Sequence, residues 1–390
     1  MRYATREIAD EVRAAARAFA ALVVTGPRRA GKTTFLRRTF PTAQYWLLED
    51  PDVLARFRAD PRGFVDGLEP PVILDEIQNA PELFSYVRTR IDEAPRRFGQ
   101  WFLTGSQESP LMQGVTESMA GRAAIFQMLP LSTRESSKVS WWRGGFPEVL
   151  AAPKTADLWL RSYVQTYLER DVRAVTQVRD LATFRRFLAL LASRCGQVLN
   201  RTDLAAPLGV TVPTIGQWLS VLEITGQVLV VPPYFEHFGK RLVKSPKVYF
   251  SDTGLLCHLL GITSERQLED SPFCGPVFEN FVATEIVKQQ IGRGRRRELY
   301  WFRDQQGLEV DFLVPVGAGE LVLCEAKATR SALLQDASSM DRLRKAIGKP
   351  VRECLLVHRP GKGSRAGEVL AKGMAAVAVA GLLRRLDAVT

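Results

Sequence analysis

The chain is poor in the residues that mark secreted, zinc-bound or membrane-embedded proteins. Its five cysteines, Cys195, Cys257, Cys274, Cys324 and Cys354, are odd in number, far apart and without a CxxC pair. That spacing argues against a disulfide framework or a structural zinc and for a reducing, cytoplasmic setting. Only three histidines occur in 390 residues, so a histidine-based metal centre is not expected. No apolar run approaches the roughly 18 residues that span a bilayer. The charged, amphipathic stretch from Met1 to Phe19 also lacks the apolar segment of a secretory signal. No membrane partner is therefore expected. Repeats and low-complexity runs are missing too, apart from the basic stretch Gly292-Arg293-Gly294-Arg295-Arg296-Arg297.

Acidic residues are outnumbered, and unevenly. The net charge is +11. Residues 1–150 carry 20 Lys/Arg against 18 Asp/Glu, whereas residues 151–390 carry 33 against 24. The basic excess lies in the later part, which is the expected contact for a polyanion. With 46% hydrophobic and 24% charged residues, the rest of the composition is that of a folded chain too long for a single core, holding two or three domains.

What is present begins with Gly26-Pro27-Arg28-Arg29-Ala30-Gly31-Lys32-Thr33, a GxxxxGK[ST] run. An apolar stretch, Ala21–Thr25, precedes it, and a helix-like stretch from Thr34 to Arg38 follows. A strand, this loop and a helix form a phosphate cradle. The backbone N–H groups surround the phosphates, Lys32 adds a point charge, and the Thr33 hydroxyl ligates Mg²⁺. ATP is thus the expected ligand, held by Gly26 through Thr34. Pro71-Val72-Ile73-Leu74-Asp75-Glu76 reads as a strand covered on both faces that ends in two acids. Asp75 is the expected Mg²⁺ partner and Glu76 the base that polarises water. Trp101-Phe102-Leu103 is a third strand, whose tip, Thr104-Gly105-Ser106-Gln107, should lie between the first two tips, with Ser106 as a γ-phosphate or water sensor. Arg122, just before a strand at Ala124–Gln127, fits an arginine finger acting across a homo-oligomer, a γ-phosphate sensor, or a plain surface arginine. Alternating strands and helices imply a parallel-sheet α/β domain.

From Trp141 the texture changes. A long amphipathic helix is expected over Asp157–Val175, then helices over Thr183–Ala192, Arg201–Ala206 and Thr211–Ile224, and a strand over Gln227–Val231. Helix, turn, helix and a strand wing form the winged-helix layout. The recognition-helix position carries no Lys or Arg in its first two turns, which disfavours direct base reading. Phosphate contacts are expected instead from Lys240, Arg241, Lys244 and Lys247 and from the Arg293–Arg297 loop.

The last third holds a second constellation. A helix over Val277–Gln290 places Glu279 at the head of a face continued by Val282, Ala283 and Ile286. Two alternating strands, Leu308–Val314 and Leu321–Lys327, flank Gly317-Ala318-Gly319. A hairpin centred on Ala318 puts Asp311 opposite Glu325 and Glu309 opposite Lys327. Opposed carboxylates in a sheet repel, so the Asp311–Glu325 pair calls for a cation, Mg²⁺ or Mn²⁺. Lys327 would then orient water or stabilise a phosphoryl transition state. The competing reading is a solvated strand face with a Glu309–Lys327 ion pair.

Taken together, these stretches resemble the prokaryotic AAA-type ATP-binding proteins that carry a C-terminal domain of unknown function with a nuclease-like fold. The resemblance rests on Gly26–Thr34, Leu74-Asp75-Glu76, Leu103–Ser106, Gly121-Arg122 with Leu129–Ser132, Tyr167–Asp171, Lys244–Phe250 with Asp252–Leu255, and Phe278-Glu279-Asn280. Glu309–Phe312 and Glu325-Ala326-Lys327 are similar to the Asp…Glu-x-Lys core of restriction-endonuclease-like enzymes. The resemblance implies that Asp311 and Glu325 hold a metal, Lys327 assists the water and Glu279 supports the site. The expected architecture is an AAA-type P-loop ATPase domain over 1–140, a winged-helix domain over 141–265 and a restriction-endonuclease-like α/β domain over 266–390. The expected function is ATP hydrolysis coupled to nucleic acid, DNA foremost, with metal-dependent cleavage in the last domain. The alternative is an ATP-gated DNA-binding regulator whose nuclease-like end is a catalytically inactive platform.

Overall fold

The computed structural model describes residues 3–105, 119–168, 181–234, 243–361 and 367–389. Strands β1 (Ala21–Thr25), β2 (Gln44–Leu47), β3 (Val72–Asp75), β4 (Trp101–Gly105) and β5 (Ala123–Gln127) form a sheet in the order β2-β3-β4-β1-β5. Every neighbouring pair is parallel. Such a sheet needs apolar cover on both faces. In β1, Leu22 and Val24 enter one core, and Ala21 and Val23 enter another. Because β4 is inserted between β1 and β3, three strand tips converge beside the loop that follows β1. The helix Lys32–Thr39 starts directly after Gly31, whose φ of 96° makes the left-handed entry that a side chain would strain.

After this sheet the helix Ala156–Tyr163 passes into a π-helical turn over Val164–Leu168. The continuation expected through Val175, with Glu169, Arg170 and Asp171, lies outside the described residues. Helices Leu181–Ser193, Arg201–Ala205 and Val212–Ile224 follow. The side chains of Asn200 and Thr211 accept backbone N–H bonds at the starts of the last two, as short polar N-caps do. Strands β6 (Val228–Val231) and β7 (Lys247–Phe250) then pair antiparallel, with Val231 opposite Lys247.

The final part is a mixed six-stranded sheet built from β8 (Tyr300–Arg303), β9 (Glu309–Pro315), β10 (Leu321–Lys327), β11 (Val351–His358), β12 (Glu368–Ala371) and β13 (Met374–Val377), in the order β12-β13-β11-β10-β9-β8. The long helix Cys274–Gly292 precedes β8, and Ser338–Ala346 connects β10 to β11. The β9–β10 register runs from Leu321 opposite Pro315 to Cys324 opposite Phe312. One further step puts Glu325 opposite Asp311, the pairing expected from a turn centred on Ala318.

The cores do not follow the sequence divisions. One continuous cluster joins Leu22 and Val24 of the first sheet, Phe184 and Trp218 of the middle helices, Val282 and Ile286 of the long helix, and Phe312 and Val322 of the last sheet. Separate clusters cover only the outer faces of the two large sheets.

Candidate nucleotide site and a buried acidic cluster

The loop after β1 is shaped by contacts that only glycine permits at its first position. Gly26 has a φ of 136°, and a Cβ there would lie 2.1 Å from the carbonyl oxygen of Met128. A Gly26→Ala protein is therefore expected to lose about 1–3 kcal/mol or more of stability, the usual scale of such backbone strain. Its urea midpoint should fall together with its nucleotide affinity; a wild-type midpoint would contradict the assignment. Lys32 is buried, and its Nζ donates to the carbonyls of Gly26 (2.9 Å) and Pro27 (3.0 Å). The lysine is thus held inside the curl of the loop, where a phosphate would exchange for those carbonyls. The Thr33 hydroxyl donates to Asp75 Oδ2 at 2.8 Å. The two groups expected to share Mg²⁺ are thus already adjacent, and they fit that ion with its bound nucleotide.

Asp75 is surrounded by hydroxyl donors that the sequence reading missed. Tyr45 donates to Oδ2 at 2.8 Å, and Thr104 donates to Oδ1. Burial, followed by the bond to Asp75, raises the Tyr45 pKa well above its ordinary value, so this hydroxyl keeps its proton. A polar residue at the end of an otherwise apolar strand was the available signal for Thr104. Glu76 has a left-handed backbone (φ 57°) and is held on two sides. Its Oε2 lies 3.5 Å from Arg28 Nη1 and accepts a hydrogen bond from Gln78. Arg28, read from sequence as one of the residues that hold ATP, therefore also lies against the candidate base. A cavity of about 270 Å³ adjoins the loop, lined by Tyr3, Arg6, Gly31, Thr34, Pro147 and Glu148. Arg6 braces it by donating to the Ala30 and Leu129 carbonyls and pairing with Glu135 at 3.0 Å. Nothing in residues 3–8 announced that role.

Of the two other residues expected here, only Arg122 can be placed. Ser106 lies outside the described residues. Arg122 precedes β5, whose first residue pairs with Ala21 and whose last pairs with Thr25. It is therefore at the end of the sheet opposite the P-loop, in a bidentate pair with Asp92 at 2.6 and 3.0 Å. A γ-phosphate sensor within the same chain does not fit that position.

In the last sheet, Asp311 and Glu325 are buried rather than on a solvated face. Asp311 Oδ2 accepts the Ala326 N–H at 2.9 Å. The cation beside them belongs to the protein. Lys247 of β7, expected on the surface among phosphate contacts, is only 2% exposed. Its Nζ lies 2.8 Å from Glu309, 3.1 Å from Glu279 and 3.9 Å from Asp311. The Glu309–Lys327 ion pair does not form, because Lys327 instead faces Glu325 at 3.5 Å. Tyr249, two residues along β7, donates to Glu279 at 2.6 Å. Burial and then Asp311 raise the pKa of both Glu279 and Glu325, against the pull of the neighbouring lysines. Burial acting alone would lower that of Lys247, but Glu279, Asp311 and Glu309 outweigh it and hold the ammonium form. Among the described residues no group of three His, Cys, Asp or Glu is disposed to hold a metal ion.

Asn280, beside Glu279, fastens β7 to the long helix. Its side chain accepts the Phe250 N–H at 2.6 Å and donates to the Phe250 carbonyl at 2.8 Å. A path of contacts also leads from Gln227, just before β6, to the P-loop. Gln227 donates to the Tyr163 hydroxyl at 2.9 Å, and that hydroxyl donates to the Arg28 carbonyl at 3.3 Å.

Two mycobacterial proteins, Mb2031c of Mycobacterium bovis and Rv2008c of Mycobacterium tuberculosis, are each 33% identical to this chain over 318 residues, covering 79% of it and 70% of their own length. The chain belongs to their family. Both are described as uncharacterized. Residues 18–137 match the family described as "AAA domain", and residues 134–266 and 274–372 match two domains of unknown function, DUF8612 and DUF4143. Among solved structures, a point variant of Thermotoga maritima RuvB is similar at 16% identity and a TM-score of 0.29, covering 58% of this chain and 89% of that one. AMPPCP-bound DnaA from Aquifex aeolicus is similar at 11% and 0.26, covering 56% and 86%. Likenesses that weak carry no argument. The AAA match spans the parallel sheet and the loop after β1, so the first part of the chain is an AAA-type P-loop ATPase domain of α/β fold. No described helix is long and apolar enough to cross a membrane.

Proposed function

We propose that the chain is an ATP-hydrolysing switch that acts on nucleic acid. The observation that carries this reading is the convergence of Lys32, Thr33, Asp75 and Glu76 around the P-loop, with a cavity beside it sized for a nucleobase. Bound ATP with Mg²⁺ supplies the phosphoanhydride bond that water cleaves, giving ADP and phosphate. Gly26 to Thr34 would enclose the phosphates, with Lys32 opposing their charge. Thr33 and Asp75 would hold the ion. Glu76 would accept a proton from water once released from Arg28 and Gln78. Ser106 is assigned the water- or phosphate-sensing role at the β4 tip. Arg122 retains one nucleotide role, that of a finger reaching a neighbouring subunit. Mixing Arg122→Ala with Lys32→Ala protein should then restore part of the lost turnover.

Nucleic acid enters through charge. The helix–turn–helix and two-stranded ribbon of the middle part support the winged-helix reading, and the basic excess of residues 151–390 supports phosphate contact. Lys240 and Arg241 are outside the described residues, and Lys247 is withdrawn into the acidic cluster, which leaves exposed Lys244 and the Arg293–Arg297 loop. Within that loop Arg293 pairs with Asp387 and Arg297 with Glu223, whereas Arg295 and Arg296 are exposed and carry no ion pair to the described residues. Replacing both by alanine is expected to weaken DNA binding evenly across sequences and to flatten the salt dependence by about two units of slope, roughly one per phosphate contact. Fluorescence anisotropy over a salt series measures it, and an unchanged slope would move the interface elsewhere.

In the nuclease-like reading of the last sheet, Asp311 and Glu325 would hold Mg²⁺ or Mn²⁺, Lys327 would assist the water and Glu279 would support them. The second reading, an inactive platform under an ATP-gated regulator, is favoured by Lys247, which already supplies cationic charge there. Wild-type and Asp311→Ala proteins incubated with single-stranded, duplex and branched DNA, Mn²⁺ and ATP separate the two. Cleavage that Asp311→Ala removes supports the nuclease.

A further inference from the structure

We propose that Lys247 is a built-in cation that keeps divalent metal out of the acidic cluster, so that the last sheet is held in a metal-refractory state by a residue of the middle part. The inference rests on reading Asp311, Glu325, Lys327 and Glu279 as a nuclease-like constellation. Three carboxyl groups, those of Glu279, Glu309 and Asp311, face Lys247 where the long helix meets β9, and the register places Glu325 opposite Asp311. Asp311 and Glu325 are buried and Glu279 and Glu309 partly so, and ionised acids withdrawn from water need cations. Lys247 brings its Nζ within 3.1 Å of two of them and 3.9 Å of a third, and its other flank lies over the Trp301 ring, 5.2 Å from the centroid. An oxygen-seeking dication would need the same carboxylate oxygens and would be forced beside a fixed ammonium.

The lysine is held in place. It arrives on β7, which is paired to β6 through Val231. Asn280 clamps the same strand at Phe250 by two hydrogen bonds, and the Tyr249 hydroxyl binds Glu279 from the same side. The same helix, Cys274–Gly292, thus supplies both a carboxylate to Lys247 and the side chain that fastens its strand. Lys327, 3.5 Å from Glu325, balances the remaining acid.

The test is Mn²⁺ binding to the full chain without nucleotide, followed by electron paramagnetic resonance of the free ion. Wild-type protein is expected to bind no Mn²⁺ at this cluster in the submillimolar range. Lys247→Gln protein should bind one ion about 10–100-fold more tightly, the span that groups surrounding a metal site command. That site should vanish when Asp311→Ala is added. Lys247→Met, purified with Mn²⁺ present, gives the same reading should the glutamine variant not fold, and circular dichroism checks each variant. Wild-type protein binding Mn²⁺ through Asp311 as tightly as the Lys247 variants would overturn the inference and leave the metal-site reading standing. A folded Lys247 variant that binds no Mn²⁺ would overturn both.

Discussion

Glu76→Gln protein should bind ATP as the wild type does while its hydrolysis falls about 10²–10⁴-fold, the contribution of a positioned base or water-orienting group. Lys32→Ala should instead lose nucleotide binding or turnover outright. The contrast follows from what each side chain touches. Lys32 donates to two carbonyls of the P-loop, so in the proposed mechanism its charge would meet the phosphates already in the ground state, and its removal should weaken binding itself. Glu76 directly follows β3, and in the proposed mechanism it would act only on the attacking water. Glutamine keeps its size and a carbonyl that can still accept from Gln78, but it cannot take a proton. One alternative cause of a slow Glu76→Gln protein is distortion of the P-loop after Arg28 loses its 3.5 Å ion pair. Distortion would lower affinity as well, so calorimetry with a non-hydrolysable analogue separates it from loss of the base. Normal turnover by Glu76→Gln would remove Glu76 from the mechanism.

The parts of this molecule visible in the sequence are those fixed by local pattern. The GxxxxGK[ST] run and the apolar strand ending at Asp75 each carry their own signal, because strand, loop and helix are contiguous and the chemistry needs them so. The β9–β10 register was legible for a similar reason, since a short turn at Ala318 fixes it. What stayed hidden depends on residues brought together from a distance. Lys247 looks like any lysine in a basic stretch until β7 is laid against the long helix, and Arg6 lies 129 positions from the Glu135 that holds it. Arg122, open in the sequence between a finger, a γ-phosphate sensor and a surface arginine, shows a different limit. A position just before a strand gives no indication of which end of the sheet that strand starts from, and a parallel β5 starts at the end away from the nucleotide. The shared core was also beyond reach, because changes in composition mark segments and not the faces they bury together.

Asp252→Ala is expected to cost about 3 kcal/mol or more, since each buried N–H left without an acceptor costs roughly 1–3 kcal/mol. Asp252 is 1% exposed. Its carboxylate accepts the Gly145 N–H at 2.6 Å and the Leu255 N–H at 2.9 Å. It thereby caps the helix Thr253–Leu259 and ties that helix to the segment that leaves the first sheet. The fit leaves no room for side chains around it: a Cβ on Gly144 would meet Asp252 Oδ1 at 2.2 Å, and one on Gly254 would meet the Arg143 carbonyl oxygen at 2.2 Å. Those contacts explain, in this chain, why glycines flank the carboxylate on both sides. Asn at 252 keeps one acceptor oxygen but turns an amide donor toward the other N–H, so it should recover only part of the loss. The effect should also reach the nucleotide. Gly145 is followed directly by Phe146, Pro147 and Glu148, and the last two line the cavity beside the P-loop. Releasing Gly145 should therefore weaken nucleotide affinity in proportion to the loss of stability, a coupling that a defect confined to the middle helices would not produce. Urea unfolding and nucleotide titration on the same preparations measure both, and a destabilised Asp252→Ala protein with unchanged affinity would confine Asp252 to holding the middle part together.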